Sequence, residues 1–163
     1  MLSKKIILTG SLGVGKTSLF NQFLYQRFDE KYLTTIGVKV DKKTVMVNGR
    51  ELSLLVWDIA GEIKQDKVPR TYFLGSSALI YVFDLTRPTT YSNMLEDLKY
   101  LKMITPGVVI RVIGNKIDLV DLEKLNDILD KVPATIDFTT SAKTGENVEN
   151  VFFSIGEELL DNA

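Results

Sequence analysis

Runs of apolar residues alternate with longer amphipathic stretches along the chain. Four continuous apolar runs, at residues 6–8, 52–57, 78–83 and 108–113, are followed by a weaker fifth run at 134–138. Such runs are typical of strands that helices cover on both faces, and these strands occur mainly in parallel sheets. The pattern predicts an α/β fold.

One segment has a different period, because residues 38–47 alternate between polar and apolar side chains and end at Asn48-Gly49. Asn-Gly is the strongest short signal for a β-hairpin. We therefore expect six strands in a mostly parallel sheet, with one antiparallel strand at its edge. Helical patterns fill residues 17–25, 64–73, 91–103, 121–131 and 146–160. The last pattern carries an apolar stripe that should pack on the sheet, formed by Val148, Val151, Phe152, Ile155 and Leu159.

Composition narrows the possible functions. The 163 residues are enough for one domain, so we predict a single domain over 1–163. Twenty Lys and Arg residues against 21 Asp and Glu residues give a formal charge of -1, which argues against a nucleic-acid binder. The chain has no Cys and no His, so its chemistry must use carboxylates, hydroxyls, lysines, backbone dipoles or a bound ion.

Targeting signals are missing from the sequence. The segment MLSKKIILTG has too short an apolar stretch for a signal peptide, and no later run is long enough to span a membrane. Without Cys, and with Leu2 in place of Gly, the chain as given has no site for a lipid anchor. We expect a cytoplasmic protein, which would associate with membranes only through a lipidated tail absent from this sequence.

The first apolar run leads into Gly10-Ser11-Leu12-Gly13-Val14-Gly15-Lys16-Thr17, which fits the phosphate-loop pattern G-x-x-x-x-G-K-[ST]. Its glycines let backbone N–H groups converge on an anion, and the helix that follows adds a favourable dipole. Lys16 would hold the β- and γ-phosphates, and the Thr17 hydroxyl would coordinate Mg²⁺. A glycine-rich turn with an exposed lysine is the alternative. This loop predicts a P-loop NTPase fold without identifying the base.

Two further polar segments follow strand ends: Asn115-Lys116-Ile117-Asp118 and Ser141-Ala142-Lys143. Because parallel strands end at one edge of a sheet, these segments should share a crevice with the phosphate loop. The Asp118 carboxylate can accept two parallel hydrogen bonds from the N1–H and N2–H₂ groups of guanine, whereas adenine has an acceptor at N1. The combination predicts a guanine-nucleotide site, although Asn-Lys-x-Asp alone could be a polar turn.

The ordered motifs GSLGVGKT, YLTTIGV, DIAGE, NKID and SAK resemble those of the Ras superfamily of small GTPases over nearly the whole chain. Trp57 before DIAGE and the segment TYFLGSSALIYVFDLT are most similar to the Rab branch. The resemblance implies a guanine-nucleotide switch with GTP or GDP and Mg²⁺ as ligands. It also implies a monomer whose effectors, exchange factors and activating proteins bind around residues 29–40 and 59–75.

The resemblance implies a role for each site residue. Asp58 would hold Mg²⁺ through water, together with Thr17 and Thr35. The residues closest to the chemistry would be Lys16, Thr35, Gly61 and Glu62. The full nucleotide-binding set would be Gly10, Ser11, Leu12, Gly13, Val14, Gly15, Lys16, Thr17, Ser18, Phe28, Tyr32, Thr35, Gly61, Asn115, Lys116, Asp118, Ser141, Ala142 and Lys143.

Several positions depart from the family pattern. Glu62 stands where most of the family has a water-orienting Gln, and a carboxylate cannot donate a hydrogen bond to a phosphate oxygen. Glu62 would therefore either position water poorly or point into solvent. Leu12 could obstruct an arginine finger arriving from a partner, and the sequence offers no evident finger of its own. Lys39, Val40 and Ile63 also differ, so the partners of Rab proteins cannot be assumed here.

Two functions remain open at this stage: a slowly hydrolysing switch, and an interaction module that binds GTP without hydrolysing it. A phosphotransferase is disfavoured because the sequence has no evident lid or acceptor site.

Overall fold

In a computed structural model, residues 2–30, 37–62 and 64–162 are described. Six strands form one sheet: β1 (Leu2–Gly10), β2 (Val38–Val47), β3 (Arg50–Ile59), β4 (Ser76–Asp84), β5 (Val109–Asn115) and β6 (Phe138–Thr140). Their order is β2-β3-β1-β4-β5-β6. Only the β2–β3 pair is antiparallel among the described strands, and β2 lies at the edge. The predicted P-loop α/β fold is confirmed.

The β2–β3 connection is the tight turn that the sequence predicts. Asn48 and Gly49 have φ values of 50° and 80°. Two successive positive φ angles are the requirement of a type I′ hairpin turn, whose twist matches that of the flanking strands.

In the described ranges four α-helices cover the sheet: α1 (Lys16–Tyr25), α2 (Met94–Ile104), α3 (Leu122–Lys131) and α4 (Val148–Asp161). Two apolar clusters, one on each face, bury alternate residues of the central strands; Ile6 and Leu8 belong to one cluster and Ile7 to the other. Helices α1 and α4 pack in the first cluster, where Phe23 and Phe152 stack with ring centroids 3.7 Å apart. The predicted stripe of α4 is buried in this cluster.

The predicted helix over residues 64–73 is wrong. The segment forms two short 3₁₀ turns, Gln65–Lys67 and Arg70–Phe73, with extended backbone at Val68 between them. Pro69 explains the break, because proline lacks an N–H donor and disfavours helical backbone in the residue before it.

The predicted fifth run, 134–138, is also shifted, since β6 begins only at Phe138. Asp137 lies where the pairing with β5 starts: its backbone N–H donates to the Val112 carbonyl at 2.9 Å, and its Oδ2 accepts from the Val112 N–H at 2.7 Å. The Asp137 carboxylate therefore takes the place of a backbone carbonyl as acceptor for the Val112 N–H, and the regular backbone pairing of β6 with β5 begins at the next residue. Among the described residues, no helix combines the length and apolarity needed to cross a bilayer.

Candidate functional site

A cavity of about 330 Å³ opens at the carboxyl edge of the sheet, where β1, β3, β4, β5 and β6 end. Its volume lies in the range of small-molecule sites. Of the predicted nucleotide-binding residues, those that line it are Leu12, Gly13, Gly15, Lys16, Thr17, Ser18, Phe28, Gly61, Asn115, Lys116, Asp118, Ala142 and Lys143. The sequence motifs thus come together in space around one cavity.

The remaining members of the predicted set lie elsewhere. Val14 and Ser141 are fully buried behind the cavity wall, and Gly10 and Ser11 do not line it. Tyr32 and Thr35, like Ile63, lie outside the described residues. Glu62 is exposed and absent from the lining, so its side chain faces solvent in this structure.

The phosphate loop joins β1 to α1, and its close packing requires glycine. Gly15 precedes α1 with φ at 102°, a backbone conformation that side chains disfavour. A Cβ on Gly15 would stand only 2.2 Å from Nδ2 of Asn115. The loop can therefore rest against the end of β5 only because this position has no side chain.

Lys16 lies within the loop and is 6% exposed. Its Nζ donates to the carbonyls of Gly10 at 3.0 Å and Ser11 at 2.8 Å. Burial lowers the pKa of Lys16 to about 8, and the negative charge of Asp58 partly offsets that effect. A buried ammonium in a ring of backbone groups is suited to an anionic ligand, which would restore the charge balance that burial removes.

Thr17 and Asp58 form the oxygen pair beside this lysine. The Thr17 hydroxyl donates to Oδ2 of Asp58 at 2.6 Å, and both residues are buried. Within the described ranges, no group of three acidic, His or Cys side chains could hold a metal alone. A hydroxyl and a carboxylate are the hard oxygen donors that Mg²⁺ accepts when phosphates and water complete its shell. The pair therefore fits a magnesium ion that arrives with a phosphate ligand.

The other end of the cavity is formed by the β5 and β6 ends. The Ser141 hydroxyl donates to Oδ1 of Asp118 at 2.8 Å and orients this exposed carboxylate. Asn115 is 1% exposed; its Nδ2 donates to the Val14 carbonyl at 3.0 Å, and its Oδ1 accepts from the Thr140 hydroxyl at 3.0 Å. Asn115 therefore connects the base end of the cavity to the phosphate loop.

Lys116 also bridges the two ends, because its Nζ donates to the Gly13 carbonyl at 3.0 Å. Lys143 is more exposed and lies 3.8 Å from Oε1 of Glu30, which lines the cavity with Asp29 and Leu119. The sequence analysis did not place Asp29, Glu30 or Leu119 in the nucleotide-binding set, although Asp29 and Glu30 belong to the predicted partner-binding range.

The Ras family model matches residues 5–161 of this chain. The chain belongs to the Ras family. Relatives of this Ras-family chain include Ras-related protein Rab-13 of Bos taurus, 32% identical over 161 residues, and of Mesocricetus auratus, 33% identical over 161 residues. In both cases the match covers 96% of this chain and 79% of the relative.

This membership makes the chain a Rab-like small GTPase, a GTP-binding molecular switch of a family that binds guanine nucleotide, typically with Mg²⁺. Family membership also supports GTPase activity and interaction with regulators and effectors in general terms.

The structure adds two features of this Ras-family chain that the sequence analysis missed. Arg87 lies on the phosphate loop, where its Nη1 donates to the Gly13 carbonyl at 3.3 Å. It does not line the cavity, so the expectation that the chain has no arginine finger of its own stays a prediction. Gln65 is 1% exposed and accepts a hydrogen bond from the Thr9 hydroxyl, while its Nε2 donates to the Glu62 carbonyl at 3.3 Å. Gln65 thereby ties the segment after Gly61 to β1. A polar residue in a segment that was predicted to be an amphipathic helix carried no sequence signal of burial.

Proposed function

We propose that this Ras-family chain binds GTP or GDP with Mg²⁺ at the cavity, hydrolyses GTP slowly to GDP and phosphate, and signals through segments that respond to the γ-phosphate. One observation supports the proposal: residues that are expected to bind the phosphates, Mg²⁺ and guanine line a single cavity. Switches of this class order such segments with the γ-phosphate and Mg²⁺ and release them after hydrolysis.

Each group has a proposed task. Lys16 and the backbone of Gly13 and Gly15 hold the phosphates. Asp118, oriented by Ser141, accepts from the guanine edge, and Ala142 offers its N–H to the guanine oxygen. Phe28 packs beside the nucleoside, since its side chain lines the cavity and also contacts the core.

Thr17 and Asp58 would hold Mg²⁺, Asp58 through water, and the ion would neutralise charge that develops on the phosphates. The hydroxyl–carboxylate hydrogen bond of 2.6 Å keeps both oxygens on one side of the cavity for this task. Thr35 and Tyr32 complete the proposed set from outside the described residues.

Hydrolysis is proposed to be slow because of Glu62 and Leu12. Glu62 offers no donor to a phosphate oxygen, and its side chain is exposed. Leu12 is 50% exposed at the cavity mouth, where a branched side chain obstructs a residue arriving from a partner. The family's unaided rate is on the order of 10⁻⁴ s⁻¹.

Partners are proposed to bind around residues 29–40 and 59–75. Within the described parts of these segments, Val40 is 47% exposed and Leu74 is 70% exposed. Exposed apolar side chains beside a nucleotide-responsive segment are suited to a protein that reads its conformation.

The binding experiment measures affinities for GDP, GTP and ATP with Mg²⁺, in the native chain and in Asp118→Asn. We expect strong preference for GDP and GTP, which Asp118→Asn weakens by about 100-fold or more, because the amide carries no charge and turns an N–H donor toward one of the two guanine donors. Asp121→Asn, which removes an exposed carboxylate three residues further on, is the matched control and should leave affinity unchanged. Equal affinity for ATP would refute the proposal.

A single-turnover assay separates the slow switch from an interaction module that has lost hydrolysis. Phosphate release over hours in the presence of Mg²⁺ supports the switch. Its complete absence, with tight GTP binding, supports the module, for which Leu12 and Glu62 are the favouring residues.

A further inference from the structure

Asp84 occupies the last position of β4 and is 0% exposed, although it belongs to none of the motifs that identify the nucleotide site. The strand before it is apolar and buried, so a carboxylate at its end needs partners to offset the loss of water. Asp84 lies beside the end of the neighbouring strand, since it pairs in register with Asn115 of β5. This placement puts an acidic group directly behind the cavity.

Two cations meet this carboxylate. Lys116 Nζ lies 2.8 Å from Oδ2 of Asp84, and Arg87 Nη1 lies 3.8 Å from the same oxygen. The Lys116 side chain is 31% exposed, which makes its pairing with a fully buried carboxylate much less screened than a surface ion pair. The other oxygen, Oδ1, accepts from the Thr86 N–H at 2.8 Å and the Thr86 hydroxyl at 2.6 Å.

Both cations also touch the phosphate loop on the side of its carbonyl groups. Lys116 donates to the Gly13 carbonyl at 3.0 Å. Arg87 donates to the same carbonyl at 3.3 Å and to the Leu12 carbonyl at 3.4 Å. One buried carboxylate therefore holds two cations against two adjacent loop carbonyls. Since the C=O and N–H groups of a trans peptide point in opposite directions, the loop N–H groups next to these carbonyls face away from the two cations.

The backbone at Lys116 increases the need for such an anchor. Its φ is 72°, a left-handed conformation that is unfavourable for a residue with a side chain. The surrounding contacts must keep the residue in this geometry, and the short pair with Asp84 is the charged contact that does so.

We propose that Asp84 is a positioning residue for nucleotide binding, which acts through Lys116 and Arg87 to hold the phosphate loop and the base-contacting lysine in one arrangement. The inference rests on the proposed function, and the resemblance to the Ras superfamily implies that Lys116 lies along the guanine base. Asp84 itself touches no nucleotide.

The test measures dissociation of a fluorescent GDP analogue in excess Mg²⁺. Asp84→Asn, which keeps the shape and removes the charge, should accelerate dissociation by about 10- to 100-fold, because both cations lose the buried charge that holds them. Thr86→Val is the matched control: it removes a neutral donor to the same carboxylate but leaves both cations, so dissociation should change by about twofold or less. Equal rates for Asp84→Asn and the native chain would overturn the inference.

A double-mutant cycle distinguishes positioning from a general loss of structure. Asp84→Asn combined with Lys116→Met should accelerate dissociation by less than the product of the two single effects, because both changes break the contact between Asp84 and Lys116, whereas the contact with Arg87 is lost in only one of them. Asp84→Asn combined with Lys143→Ala, on the other wall of the cavity, should show additive effects. Additive effects in both cycles would overturn the role assigned to Lys116.

Two further measurements keep the outcomes distinct. If Asp84→Asn does not fold, Asp84→Glu replaces it: the charge remains but is displaced by one methylene, so dissociation should still accelerate, and an unchanged rate would count against the inference. A native chain that binds no guanine nucleotide would refute the proposed function. Tight native binding with unaltered Asp84 variants would refute this inference alone.

Discussion

Gly61 lies directly against Leu12, where a Cβ built on Gly61 would stand 2.5 Å from the Leu12 Cα and 2.6 Å from its backbone nitrogen. These are backbone atoms, which cannot turn aside as a flexible side chain can. The segment that is proposed to sense the γ-phosphate therefore reaches the phosphate loop only because residue 61 has no side chain.

Gly61→Ala should displace this segment from the loop. We expect GDP affinity to remain within about threefold, because GDP lacks the γ-phosphate that this segment is proposed to sense. The conformational difference between the GDP-bound and GTP-bound states should be lost. Fluorescence of Trp57, the only tryptophan in the chain, measures it. Gly107→Ala is the control: its φ of 79° makes the substitution strain the backbone, but no atom lies within 4 Å of the added Cβ, so the difference should be retained. A normal GTP response in Gly61→Ala would contradict this prediction.

Glu62→Gln should accelerate GTP hydrolysis. An amide can accept from water and donate to a phosphate oxygen, whereas the carboxylate can only accept. We expect an increase of about tenfold, below the roughly 100- to 1,000-fold that one preorganised donor contributes, because residue 62 is exposed in this structure. Single-turnover phosphate release measures the rate, and Glu62→Ala is the control that removes the charge without adding a donor. If the Ala and Gln variants are equally fast, charge rather than hydrogen bonding limits the reaction.

Asp58→Asn should weaken the dependence of nucleotide binding on Mg²⁺. The amide carries no charge to attract the ion, although it can still accept from the Thr17 hydroxyl. The Mg²⁺ concentration that half-maximally slows GDP release should rise by about 10-fold or more, as is common when a partner of the metal's ligands is removed. The native response to chelator is measured in parallel. An unaltered Mg²⁺ requirement would remove Asp58 from the metal site.

Asp97 should make folding stability depend on pH. Its carboxyl is 4% exposed and accepts from the Gln65 N–H at 3.0 Å and the Tyr81 hydroxyl at 2.7 Å. Burial raises the pKa of Asp97 above its ordinary value of 3.8, an effect that these hydrogen bonds only partly offset and to which the charge of Asp66 adds. Between the unfolded and folded pKa values the folded state holds more protons, so the free energy of unfolding falls as pH rises through this window.

Asp97→Asn removes that titration. Its amide can still accept from the Gln65 N–H and can donate to the Tyr81 oxygen, so we expect stability at neutral pH to change by about 1 kcal/mol or less. Denaturant unfolding at several pH values above 4 should show a flatter profile than in the native chain. An identical slope in both proteins would show that other groups control the pH dependence.

The phosphate loop, the guanine motif and the mostly parallel sheet could be predicted because local sequence carries them. The glycines of residues 10–17 have to appear where the backbone adopts unusual angles, and continuous apolar runs indicate strands buried on both faces. Even the antiparallel edge followed from Asn48-Gly49. The helix over 64–73 was mispredicted because Pro69 was given too little weight against an apparent helical period.

Asp84 shows what a closer reading of the sequence could have added. It closes a continuous apolar run in the same way as Asp58, and the same reasoning applies to both. The sequence by itself determined the fold class and the family, and it predicted residues of a nucleotide site that line one cavity in the structure. Each of these depends on residues that are close along the chain. Only the tertiary structure decided that Gln65 is buried against Thr9 and that Asp84 holds Lys116 on the loop. Those contacts join residues on different strands and turns, and their free energy depends on burial that no local pattern records.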